Sequence, residues 1–95
     1  SFTIVNAGVY AITTTYSHSA DTNQGISVNS AQLTTDVSTI TAANRLVSAR
    51  DGAASGVVLC SWTGYLSAGD VIRAHGDAAA VGNAALATFT ITRIA

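Results

Sequence analysis

Arg73, His75 and Asp77 alternate along the segment RAHGD, and a β-strand there would set all three on one face. Such a set suits hydrogen bonds to a glycan, or an ion held near a symmetry axis. It equally describes a solvated strand face or an inter-subunit salt bridge. A second group, His18, Asp21, Asn23 and Gln24, falls in the polar run Ser17–Gly25, SHSADTNQG, which reads as a loop. Their side chains are donors and acceptors matched to sugar hydroxyls. Asp21-x-Asn23 with Gly25 has a faint calcium-loop character, but the bidentate glutamate of such loops is missing and the chain contains no Glu. We assign no metal and no cofactor.

Trp62, the sole tryptophan, could stack on a sugar ring or fill a core or subunit interface, and its mid-strand position favours the second role. Cys60, the sole cysteine, shares the parity of Val58 and Trp62 and reads as a small buried hydrophobe. One cysteine excludes a disulfide framework and a cysteine-based metal site. No serine or cysteine can be assigned as a nucleophile beside a base, and the five aspartates have no spacing that builds a glycosidase pair. The chemistry on offer is binding rather than turnover, so the chain is not read as an enzyme.

The elements that must carry these residues are strands. Gly56–Leu66 is rich in β-branched and aromatic residues, Ser67-Ala68-Gly69-Asp70 has turn chemistry, and Val71-Ile72 restarts an extended segment. Phe2–Val5 is a short strand. Val9–Tyr16 alternates, with the Tyr10/Ile12 face expected inward. Ile26–Val28 follows the polar loop, and Ala31–Ala43 reads as strand plus loop, because its threonines, Val37 and Ile40 disfavour a helix. Arg45–Ala49 ends at the turn dipeptide Asp51-Gly52, Ala78–Asn83 is a small-residue loop, and Ala84–Ile94 closes the chain as a strand. The sum is about eight strands in one domain, residues 1–95, with no proline: an all-β sandwich or jelly roll.

Composition narrows the partners. Charged residues make up 9% of the chain, four Arg and five Asp with no Lys, where a soluble domain carries about a quarter. With no basic cluster, nucleic acid is not an expected partner. No apolar run approaches the roughly 20 residues of a membrane helix, so membrane insertion is not expected. Weakly charged β surfaces aggregate unless paired or covered, which favours an obligate oligomer.

The order Phe2-x-Ile4, Gly8-Val9-Tyr10-Ala11-Ile12, Leu66-x-x-Gly69-Asp70-Val71 and Phe89-Thr90-Ile91 resembles the C1q/TNF-like jelly roll. The likeness spans Phe2 to Ile94. The wording of SWTGYLSAGDVIRAHGD is most similar to versions at the tips of phage tail fibres and bacterial surface fibres. The strand that usually precedes Phe2 is absent, and the chain is expected to be the C-terminal part of a longer fibre protein. The resemblance implies a homotrimer with Tyr10, Trp62, Tyr65 and Phe89 in the trimer interface or core. It also implies a receptor-binding head on a virion or cell surface that recognises host polysaccharide or another glycan. The rival expectation is a trimerisation or capping module with no ligand of its own.

Overall fold

A computed structural model describes residues 1–18, 22–31, 37–51, 56–76 and 88–95. These residues form seven strands: β1 (Phe2–Thr3), β2 (Gly8–His18), β3 (Thr22–Val28), β4 (Arg45–Asp51), β5 (Gly56–Leu66), β6 (Val71–Gly76) and β7 (Thr88–Arg93). They make two antiparallel sheets, ordered β1-β6-β3-β4 and β5-β2-β7. The protein is thus all-β, in a two-sheet, sandwich-like arrangement.

The central strand of the smaller sheet is β2. It pairs with β5 along its whole length, from Gly8 opposite Leu66 to His18 opposite Gly56, and with β7 from Tyr10 opposite Arg93 to Thr15 opposite Thr88. Its β-branched run suits a strand flanked on both sides. Alternation sends Tyr10, Ile12 and Thr14 inward, and all three are buried. Cys60 and Leu66 of β5 join them, and Ile4, Ile26 and Ile72 complete the core from the other sheet. Fully burying one such aliphatic side chain is worth about 1.5–3 kcal/mol, enough to decide which face of each strand turns in. Trp62 packs against this cluster with its ring lying across Gly64, where an added Cβ would stand 2.5 Å from a ring carbon.

Two sequence expectations change. β3 starts at Thr22 rather than Ile26 and β2 runs to His18 rather than Tyr16, so six of the nine residues of the expected polar loop are strand. Val37–Thr39 and Ala42–Asn44 are single 3-10 turns, with no strand among the described residues of that region. Val37 and Ile40 are buried there, a spacing of three that fits the 3-10 period rather than a strand. The expected turn between β5 and β6, Ser67–Asp70, carries the chain from one sheet to the other. The expected Ala78–Asn83 loop and the start of the last strand, residues 84–87, lie outside the described residues, as does Gly52; Asp51 ends β4.

That crossing is held by side chains. Asp70 accepts from the Ser67 N–H (2.8 Å) with one carboxylate oxygen and from Asn29 Nδ2 (2.9 Å) with the other. Asn29 sits in the left-handed region, φ 56°, which asparagine tolerates, and its Oδ1 accepts from the Val71 N–H at 2.9 Å. Ile4 closes the knot, donating to the Asp70 carbonyl and accepting from the Gly69 N–H, both at 2.8 Å. Replacing Asp70 with Ala is expected to lower unfolding free energy by about 1–3 kcal/mol in urea titration, the cost of two charge-assisted bonds at a partly solvated site. An unchanged midpoint would show that the turn closes without the carboxylate.

Candidate functional site

The described members of the two residue groups picked out by their chemistry are carried by strands β2, β3 and β6. In β6, His75 is only 3% exposed, and its Nε2 lies 2.6 Å from Oγ of Ser27, which is 0% exposed. Arg73 is half-buried and donates to the Ser30 carbonyl. Gly25, the β3 residue opposite His75, carries Val37 of the first 3-10 turn against it; an added Cβ at Gly25 would collide with that valine and stand 2.5 Å from the Val47 carbonyl oxygen. His75 is therefore covered by Ser27 and the Val37 turn, while Arg73 on the same face keeps part of its surface. Asp77 lies outside the described residues.

The polar-loop group is similarly dispersed. Asn23 and Gln24 belong to β3, opposite Arg50 and Ala49 of β4. Gln24 is 2% exposed on the inward parity of Ile26, while Asn23 is half-buried on the other face. His18 closes β2 opposite Gly56, and Asp21 lies outside the described residues. Asn23 and Gln24, expected in one loop, are adjacent strand residues that point to opposite faces of the sheet.

The four aromatic candidates divide. Tyr10 belongs to the core, its hydroxyl donating to the Asn6 carbonyl at 2.5 Å, and Trp62 packs beside it. Tyr65 is 65% exposed on the outer face of β5, and Phe89 is 39% exposed on the short strand β7. Trp62 is thus partly buried between the core and Gly64.

Two features escaped the sequence reading. The first is Ser27: its oxygen lies within nucleophile-to-base distance of an imidazole, but both groups are sealed from substrate, so the contact joins β3 to β6. No motif spacing links residues 48 positions apart. The second is an open cavity of about 270 Å³ lined by Ala42, Arg45, Leu46, Val47 and Ser48. Among the described residues, no group of three or more His, Cys, Asp or Glu could hold a metal ion, and no helix is long and apolar enough to cross a membrane.

Compared with protein-family models, with curated proteins and with solved structures, the chain finds no match. Its class is that of the fold alone, a small all-β protein of two antiparallel sheets.

Two outcomes follow from the buried groups. Replacing Ser27 with Ala strips His75 of its 2.6 Å partner and is expected to cost about 1–3 kcal/mol of stability by urea unfolding. No loss would mean that the imidazole is satisfied without Ser27. Burial also pushes the Cys60 thiol above its ordinary value of 9.0. A thiol harder to ionise when folded contributes stability that is complete below the unfolded-state value and fades as pH rises through the folded one. Thermal midpoints of wild type and Cys60→Val should therefore run parallel from neutral pH to pH 8 and converge or cross at higher pH. Parallel curves throughout would show that the thiol ionises equally in both states.

Proposed function

We propose that the chain is a self-associating module of a fibre-like appendage, a C1q/TNF-like jelly roll whose copies pack the outer face of the β5-β2-β7 sheet around a common threefold axis. The observation that carries this reading is the composition of that face. The register sets out its rows: Tyr65 beside Val9, then Thr63, Ala11 and Thr92, then Ser61, Thr13 and Thr90, then Leu59, Thr15 and Thr88, and finally Val57 beside Ser17. Ile94 follows β7 next to Val9, donating its N–H to the Val9 carbonyl at 2.7 Å. No row contains a charged residue.

A face without charge meets its own copy without like-charge repulsion. Threonine and serine hydroxyls donate and accept, so a hydroxyl-lined face is complementary to itself. Tyr65, Leu59, Val57 and Ile94 are all exposed and add apolar area around it. Strands about 4.8 Å apart and about 3.4 Å per residue give this face an area on the order of 400 Å². That is roughly half of what one partner brings to a standard interface, and the edge of β5 is the adjoining surface that adds to it. This edge runs eleven residues without charge or proline, and no described strand pairs with it.

A second reading, recognition of a host-surface glycan by the same trimer, has the open cavity at Arg45 in its favour. It places the chain at the exposed tip of the appendage, with three shallow sites acting together by avidity.

Light scattering tests the assembly. Wild type is expected at about three times 9.6 kDa, and Thr63→Lys, which sets a charge in the middle of the face, at the monomer mass with unchanged far-ultraviolet circular dichroism. A wild-type monomer at high micromolar concentration, or a Thr63→Lys trimer, would refute this use of the face.

A further inference from the structure

The chain has four arginines and no lysine. Arg73 donates to the Ser30 carbonyl, Arg93 to the Ala7 carbonyl at 3.0 Å, and Arg50 is engaged as well. Arg45 differs. Its Nε is shut off from solvent and has no hydrogen-bond partner. Arg73 Nε is likewise without a partner, but that guanidinium is anchored through its Nη1 bond. An orphaned buried donor is costly, more so on a charged group.

Arg45 lines the open cavity of about 270 Å³, and the backbone explains why. The β3–β4 register shifts between Ile26 and Ser27: Val47 pairs with Ile26 and Arg45 with Ser27, which leaves Leu46 as the extra residue of a bulge. A bulge breaks strict alternation and re-aims side chains. Arg45, Leu46 and Val47, three consecutive residues, thereby line the same cavity, which Ala42 and Ser48 complete.

We propose that this cavity binds the carboxylate of a single acidic sugar residue. The planar guanidinium matches a carboxylate through paired parallel N–H···O bonds. The lining is mostly polar, which suits a hydroxyl-bearing ring, and the Ser48 hydroxyl can bond a ring hydroxyl. The volume lies just below the range for drug-sized ligands, which suits one monosaccharide. A single arginine with no second cation lining the cavity is a poor match for a doubly charged phosphate. This inference rests on the glycan-recognition reading but not on assembly, since the cavity belongs to the sheet opposite the proposed contact face.

Amide chemical shifts of the full chain, titrated separately with glucuronate, glucose and inorganic phosphate, provide the test. Glucuronate is expected to shift residues 42–48 saturably while glucose and phosphate leave them in place. Arg45→Gln should weaken glucuronate binding by about tenfold or more. Ala42→Phe, which fills the cavity and keeps the arginine, should abolish it; the spectrum of each variant reports directly whether it is folded. The proposal is overturned if glucose shifts residues 42–48 equally, if only phosphate binds, if nothing binds, or if folded Arg45→Gln retains wild-type affinity. Glucose shifts confined to other residues would end this proposal while leaving glycan recognition standing.

Discussion

The fold turns on one carboxylate. Between Leu66 and Val71 the chain must leave the β5-β2-β7 sheet and enter the other, and a change of sheet provides no ladder of hydrogen bonds to guide it. Asp70 supplies the missing guidance, tying the Ser67 backbone on one side and the Asn29 side chain on the other. Asn29 then brackets Val71, its own N–H donating to the Val71 carbonyl at 2.8 Å and its Oδ1 accepting from the Val71 N–H. The end of β3 and the start of β6 are therefore in register before either strand runs. From that register Val28 falls opposite Ile72, and Ile4, bonded to the same turn, reaches the core. A slip of one residue at this point would exchange the faces of β6 and send Ile72 outward.

Alternation made the central architecture legible. The Tyr10/Ile12 face of β2 and the Cys60 parity of β5 turn inward, and the Leu66-x-x-Gly69-Asp70-Val71 step marks a turn whose aspartate has a clear physical task. β3 was less legible because burial there comes from position rather than composition. Thr22–Gly25 is polar, yet β3 is flanked by β4 and β6, and a strand in that place buries whatever it carries, Gln24 included. Parity also distinguishes faces but not how well each is covered. It turned the Tyr10/Ile12 face inward but left core and subunit interface undivided for Trp62, which packs partly buried against the core, and for Phe89, which, level with inward-facing Thr14, stays exposed on a six-residue edge strand. The Arg45 cavity depends on a bulge, and neither composition nor period announces an extra residue in a strand.

Scarcity of charge gives each charged group a large share of the organisation. Arg73 and Arg93 reach backbone carbonyls rather than acids, Arg73 at Ser30 and Arg93 at Ala7, so they act as staples across the chain instead of as solubilising surface. Asp70 does the same with backbone and amide donors. Groups used in this way are held in place by the chain, although Arg93 stays exposed. What remains for the β5-β2-β7 outer face is threonine, serine, alanine and a few exposed apolar side chains.

The two sheets thereby acquire different surfaces from the same sparse alphabet. The outer face of the smaller sheet is regular, since unbroken pairing of β2 with β5 over eleven residues leaves side chains in straight rows. Regular rows of hydroxyls and methyls suit contact with an identical surface. The larger sheet is irregular where it meets solvent: a bulge in β4, two 3-10 turns beside it, and an arginine whose Nε has no partner. Irregularity of that kind makes a concave site, and concavity around an unpaired donor suits a small ligand rather than another protein face. If copies pack through the regular sheet, the irregular one faces away from the axis, so assembly and ligand binding would occupy opposite sheets and neither would compete with the other.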